Sequence, residues 1–303
     1  MVTFAKGPVF VSGPRTFTSG LVFNETDLTG IPEAVGAARK ADVVVMALGE
    51  DCFQSGEGRS QTEIGLKGLQ QQLLDAVLTV NKNVVVVLMN GRPLVINRMA
   101  ETVPSILECW HLGSQSGTAI ADVLFGDYNP AGKLPVSFPR AVGQLPLYYN
   151  QKSTGRPSGG EGIFFWSHYS DQQNDALFPF GYGLSYTSFA YENLVLSSEK
   201  IPMNGELKVS VRVKNTGQVA GEEVVQLYIR DLVGSTARPV KELKGFRKVM
   251  IQPGETADVE FTLTAADLAF YTASGEWKAE PGSFRLWVGT NSAEGLEAGF
   301  TLE

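Results

Sequence analysis

The apolar residues of this 303-residue chain change their period once, near residue 190, and that change divides the chain into two differently built parts. Before it, Val84-Val85-Val86-Val87-Leu88-Met89 is a continuous apolar, largely β-branched run. Such a run describes a strand covered on both faces, not one alternating between core and solvent. The runs Val43 to Leu48 and Ile106 to Trp110 read as two more strands, the first expected to be buried. Between them lie stretches with helical spacing: Ile31 to Ala41, then Leu66 to Val80 with Leu69, Leu73, Leu74 and Val77, and later Gly117 to Phe125. Gly126-Asp127-Tyr128-Asn129-Pro130 stops the last of these. Strands alternating with helices predict a mostly parallel sheet flanked by helices and joined by right-handed crossovers.

After the change the period is two. Leu207, Val209, Val211 and Val213 alternate with polar neighbours, as do Val225, Leu227 and Ile229, then Val259, Phe261 and Leu263, then Phe284, Leu286 and Val288. Asn215-Thr216-Gly217, Pro253-Gly254 and Pro281-Gly282 supply turns between them. Short alternating strands with turn signals predict an all-β sandwich of immunoglobulin or fibronectin type. It has no inter-sheet disulfide, because this half contains no cysteine. Residues 150–190 are rich in Gly, Ser, Pro and aromatics, and disordered linkers avoid aromatics. The expected organisation is therefore an α/β sandwich domain over 1–150, an aromatic and Gly-rich connecting segment over 151–190, and the β-sandwich over 191–303. The connecting segment is expected to run along the first domain and pin the second.

Composition narrows the function. A net charge of −7 without a basic cluster argues against a nucleic-acid partner. No apolar run reaches the ~18–20 residues that would span a bilayer, and the start MVTFAKGPVF lacks the pattern of a secretory signal. Two histidines, His111 and His168, and two cysteines, Cys52 and Cys109, make no zinc-like ligand set. Neither a P-loop nor a G-x-G-x-x-G after a strand is present, so no metal and no cofactor is expected. Both cysteines end or follow apolar runs; buried free thiols are expected, with a disulfide between them left open.

The candidate site is Phe53-Gln54-Ser55-Gly56-Glu57-Gly58-Arg59, just past the first strand. In open α/β sheets ligands meet the loops at the carboxyl ends of strands. Glu57 between two glycines could be a proton donor, although from spacing alone a solvated surface Glu is the default. Phe53 could stack on a sugar ring or simply pack the loop. Glu50 and Asp51 are further acidic candidates, with capping the commoner fate of a strand-end Glu. Asn90 and Arg92 read as a structural turn, and Trp110 with His111 as packed residues at a strand end. The tract Ser158 to Ser170 could overhang a site mouth or bridge the domains.

The words of this chain resemble glycoside hydrolase family 3, specifically its α/β sandwich domain followed by its fibronectin-III-like domain. They are Ala41-Asp42-Val43-Val44-Val45 with Gly49-Glu50, Ser55-Gly56-Glu57-Gly58-Arg59 and Val87-Leu88-Met89-Asn90-Gly91-Arg92-Pro93. Next come the run from Ala119 to Asp127 and Asn129-Pro130-Ala131-Gly132-Lys133-Leu134-Pro135. Phe178-Pro179-Phe180-Gly181-Tyr182-Gly183-Leu184-Ser185-Tyr186 and Pro239-Val240-Lys241-Glu242-Leu243-Lys244-Gly245-Phe246 close the set, nearly the whole chain in the family's order. Where the pattern has Asp-Arg after Glu-Gly, this chain has Arg59-Ser60-Gln61.

The resemblance implies a retaining exo-β-glycosidase, most readily a β-glucosidase, with Glu57 as acid/base and Phe53 in substrate binding. Members of this architecture carry an N-terminal (β/α)8 barrel with an Asp nucleophile in a Ser-Asp-Trp-like motif, and this chain has no Ser-Asp-Trp. No nucleophile is therefore expected in it, and the chain alone is expected to be inactive. Its implied partners are a β-glucoside or oligosaccharide and a barrel domain or chain, with no nucleic acid and no membrane; a homodimer is left open. The resemblance suggests a periplasmic or secreted location. The rival readings are a non-catalytic fragment needing a separate barrel chain and a carbohydrate-binding or scaffold module, which would show clustered exposed aromatics such as Trp277 and Trp287 on the sandwich.

Overall fold

The computed structural model describes residues 1–156 and 165–303 and divides the chain into two compact units. Part of the Ser158–Ser170 tract, at 157–164, lies outside the described residues.

The first unit comprises Met1–Ala121 and Pro139–Leu145. A short antiparallel pair, β1 (Val11–Ser12) and β2 (Val22–Phe23), precedes α1 (Ile31–Ala38), which has a proline in its first turn, where a missing N–H costs nothing. Then follow β3 (Val44–Gly49), α2 (Gln70–Leu78), β4 (Val84–Met89), α3 (Asn97–Thr102) and β5 (Ser105–Glu108). α4 (Ser116–Phe125) contains the boundary between the units. β3, β4 and β5 form one parallel sheet with β4 central, Val45 facing Val85 and Val86 facing Ile106.

The central strand is buried as its run predicts: Val84, Val86, Val87 and Leu88 are all within 3% of full burial. Leu74, Val77 and Leu78 of α2 are buried with them. β3 departs from the expectation of a buried strand. It pairs on one side only, burying Met46 and Leu48 while Val45 is 51% exposed, so it alternates like a half-covered strand. β3, β4 and β5 lie within two residues of the runs that predict them, no run predicts β1 or β2, and α2 is shorter than the apolar spacing from Leu66 to Val80.

The second unit comprises Asp122–Phe138 and Pro146–Glu303. One sheet is β11 (Thr256–Thr264), β8 (Glu206–Asn215) and β6 (Phe189–Leu196). The other runs β10 (Glu242–Ile251), β9 (Gly221–Asp231), β14 (Gly282–Gly289), β15 (Leu296–Leu302) and β7 (Lys200–Ile201). The one-turn helix α5 (Ala265–Leu268) and the hairpin of β12 (Phe270–Tyr271) and β13 (Trp277–Lys278) complete it. The inward residues Leu207, Val209, Val211, Val225, Leu227, Val259, Phe261, Leu286 and Val288 form one buried core between the sheets, as the period-two pattern requires.

Two polar devices fix the edges of this sandwich. Asn215 is fully buried; its amide donates to Val219 O and Ile251 O at 2.8 and 2.9 Å, and its Oδ1 accepts from Gly217 N and Thr187 Oγ1. Lys133 Nζ reaches Glu223 (3.2 Å), Thr290 Oγ1 (2.9 Å) and Gly183 O (3.1 Å), while Tyr191 donates to Glu223 at 2.7 Å. The aromatic tract packs within this unit: Phe180 stacks on Tyr149 with centroids 4.2 Å apart, and Gly181 is held against Gln226.

The end of β3 needs a glycine. Gly49 has φ +140°, and a Cβ there would lie 1.9 Å from Met89 O. Gly49→Ala should lower stability by about 3 kcal/mol or more through backbone strain and this clash. Denaturant unfolding followed by circular dichroism measures it; a loss below about 1 kcal/mol would contradict the close approach.

Candidate active site

Three strand ends converge at the carboxyl edge of the parallel sheet. β3 leads into Glu50-Asp51, β4 into Asn90-Gly91-Arg92, and β5 into Cys109-Trp110-His111. Gly91 is the point of contact: a Cβ there would lie 2.4 Å from Ser55 Oγ and 2.6 Å from His111 Nε2. Trp110 is half-buried with φ +50°, uncommon for an aromatic residue, so β5 ends in a sharp turn that sends His111 toward this point.

Glu50 and Asp51 are structural. The Glu50 side chain is only 1% exposed; it accepts Ser55 O–H at 2.8 Å and Gly91 N–H at 2.9 Å, and its Oε1 lies 2.9 Å from Arg92 Nε as an ion pair. Asp51 is buried, pairs with Arg15, and accepts the Phe53 N–H at 2.9 Å. These partners tie both carboxylates to the strand ends and to the base of the loop. Asn90 is fully buried and donates to Arg92 O at 2.8 Å, the structural turn its position suggests.

Glu57 is different. The loop from Asp51 to Gln61 ends in a turn closed by Arg59 N–H to Gly56 O at 3.2 Å, which places Glu57 at its first corner and Gly58 at its second. Gly58 has φ +68°, a left-handed conformation that glycine adopts without strain. Glu57 is exposed, and among the described residues no hydrogen bond or ion pair holds its carboxylate. Phe53, near the start of the same loop, is half-buried.

Glu108, which the strand pattern folded into an apolar run, has a displaced titration. Burial pushes its carboxyl from 4.5 up to about 7, against hydrogen bonds from the Trp110 N–H (3.0 Å) and the Asn90 side chain. Its Oε2 and Asn90 Oδ1 are both buried acceptors without a donor. A charged residue interrupting an apolar strand was the available signal. The two thiols are free; Cys109 is buried and pushed up to about 11 by burial and the Glu108 charge, whereas Cys52 is exposed, not buried as expected. It sits in the loop beyond β3, outside the core. Among the described residues no group of His, Cys, Asp and Glu is arranged to hold a metal, and no helix is long and apolar enough to cross a membrane.

On the sandwich, Trp287 lies under Lys241 at 4.4 Å and donates to Glu297 at 2.8 Å, so it is engaged within the sheet. Trp277 and Tyr271 are exposed on the β12–β13 hairpin, their planes inclined at 66°, which offers no flat platform.

Comparison with known proteins identifies the family and the fold. Residues 11–186 match the glycosyl hydrolase family 3 C-terminal domain, and 223–292 the fibronectin type III-like domain. A periplasmic β-glucosidase of Salmonella typhimurium is 45% identical over 273 residues, covering 90% of this chain and 36% of that protein. A β-xylosidase of Formosa agariphila is 43% identical over 276 residues, covering 91% and 37%. The crystal structure of a β-glucosidase from Listeria innocua in complex with glucose superimposes with a TM-score of 0.88 at 40% identity, covering 92% of this chain and 39% of that one. The chain thus spans between a third and two fifths of the length of these relatives.

Glu108 makes stability depend on pH. Its folded value is raised, so the native state binds its proton more tightly than the unfolded chain does. This contribution is full below about 4.5 and is lost as pH rises to about 7, a total of about 3 kcal/mol. Glu108→Gln, whose amide supplies the missing donor, should flatten unfolding free energy against pH over that window and stabilise the chain by about 2 kcal/mol at pH 7.5. Urea melts at several pH values check it; a slope unchanged by Glu108→Gln would show that Glu108 titrates alike in the folded and unfolded chain.

Proposed function

This chain belongs to glycosyl hydrolase family 3, and on that premise we propose that it is the C-terminal portion of a retaining exo-β-glycosidase, a β-glucosidase, with Glu57 as the general acid/base. The observation that carries the reading is the display of Glu57. Alone among the carboxylates of the strand-end loop it is unpaired, and the turn holds it out from the sheet edge where open α/β folds meet their ligands.

Retaining hydrolysis uses two carboxyl groups about 5–5.5 Å apart. In the first step one attacks the anomeric carbon while the acid gives its proton to the departing glycosidic oxygen. In the second, the same residue, now a carboxylate, takes a proton from water as that water displaces the enzyme carboxylate. Glu57 performs both proton transfers, and the nucleophile comes from a barrel domain such as the family's longer members carry. A general acid working near neutral pH must hold its proton there, which calls for desolvation or a neighbouring carboxylate. An exposed turn supplies neither until a barrel closes over it, so the chain alone is inactive on this reading. Phe53, half-exposed in the same loop, offers a ring face to the leaving-group sugar. The exposed Trp277–Tyr271 pair is what supports the rival reading of a carbohydrate-binding module, and its tilted rings support it poorly.

The test is hydrolysis of p-nitrophenyl β-glucoside by this chain alone and mixed with a family barrel domain. Activity is expected only in the mixture. Glu57→Ala should lower it by about 10²-fold or more, with azide, a nucleophile needing no general base, restoring turnover. Activity of the isolated chain, or a mixture indifferent to Glu57→Ala, would overturn the proposal; inactivity throughout would leave a non-catalytic module.

A further inference from the structure

The loop that carries Glu57 has neither strand nor helix of its own, and its tip is free. A Cβ at Gly56 or Gly58 would meet nothing within 4 Å. Proton transfer nonetheless demands a donor held to within a fraction of an ångström, and a 1 Å misplacement costs about 10²-fold. Something must fix the loop at its base.

Arg92, the third residue past β4, does so. Its Nη2 lies 2.6 Å from Gln54 O, 3.1 Å from Ser55 Oγ and 3.1 Å from Arg59 O. Gln54 precedes Glu57 by three residues and Arg59 follows it by two, so a single guanidinium closes the loop on both sides of the acid. The same group is anchored from below, with Nε 2.9 Å from Glu50. Glu50 is in turn fixed by Gly91 N–H and by Ser55 O–H. Gln61 adds a further bond to Gln54 O at 3.0 Å, and Arg59 ties the outer limb to Ser19 O at 3.3 Å. Gln61 also spans the two limbs, but of these side chains Arg92 is the one anchored to the buried Glu50.

We infer that Arg92, backed by Glu50, is the positioning residue for Glu57, holding the acid turn through a guanidinium that bridges the two limbs of its loop. The inference rests on the reading of Glu57 as acid/base. Lysine cannot substitute, since a point charge on a flexible stem lacks the planar fork that serves a buried carboxylate and several carbonyls together. The consequence is selective. A poor leaving group needs its proton as the bond breaks, whereas 2,4-dinitrophenolate departs without one, so a mispositioned acid penalises only the former.

The experiment compares wild type, Arg92→Lys, Ser55→Ala and Glu57→Gln, each mixed with a family barrel domain. Substrates are cellobiose and 2,4-dinitrophenyl β-glucoside, and the quantity is kcat/KM, which reports the step that acid catalysis assists. Arg92→Lys should lose about 10- to 100-fold on cellobiose and less than about threefold on the dinitrophenyl substrate. Ser55→Ala, which leaves no buried charge unpaired, should show the same split at about two- to fivefold. Equal loss on both substrates, or none, would overturn the role of Arg92. Absence of a split in Glu57→Gln would instead bring down the reading of Glu57 itself. Hydrogen exchange on the chain without any barrel tests the same role independently of catalysis. Amides 53–61 should exchange about tenfold faster in Arg92→Lys while those of β4 are unchanged; undisturbed loop amides would end the inference.

Discussion

The Glu50–Arg92 ion pair organises the functional edge of the first unit. A carboxylate 1% exposed and a guanidinium 20% exposed sit where β3 and β4 end side by side. Taking both charges out of water is costly, and their attraction offsets that cost only when their remaining donors and acceptors are also met. The loop supplies those partners. Ser55 donates to Glu50, and Gln54, Ser55 and Arg59 accept from Arg92. The loop conformation and the ion pair therefore require each other, and removing either partner alone leaves a buried charge worth about 3–5 kcal/mol of lost stability.

That mutual dependence explains how an exposed residue can be placed by buried ones. Glu57 itself touches little, while the turn that closes at Arg59 and the guanidinium bound to Gln54 O and Arg59 O hold the backbone on either side of it. Asp51 reinforces the same base through Arg15 and the Phe53 N–H. Acidic residues in this short loop thus divide into those that hold it and the one it presents. Glu108, one strand over, is a third kind: a largely buried acid, raised by that burial, whose titration registers in stability.

The second unit follows a simpler rule. Its sheets meet through the alternating residues of β8, β9, β11 and β14, and its polar burial is confined to groups such as Asn215 and the Lys133–Glu223–Tyr191 cluster, whose hydrogen bonds are made within the unit. Residues 223–292 match the fibronectin type III-like domain, and fold alone carries no activity.

Much of this was legible in the residues. The four-valine run of β4, the helical spacing of Leu73, Leu74 and Val77, and the period of two from Leu207 to Val213 each specify one element, because periodicity reports which faces are buried. The words around Glu57 and the Phe178–Tyr186 tract place the chain in its family. The half-open face of β3 was not legible, since Val43 to Leu48 is equally apolar throughout and only the sheet order makes that strand an edge. Nor could composition show Cys52 exposed, or separate Glu50, Asp51 and Glu57 by role. Local sequence determined the elements and the identity of the acids; which acid is buried, paired or presented was decided by non-local hydrogen bonds across 33 to 41 residues of chain, from Arg92 and Gly91 back to the loop beyond β3. Those contacts exist only once β3 and β4 lie side by side, because pairing in the sheet is what brings their ends within reach.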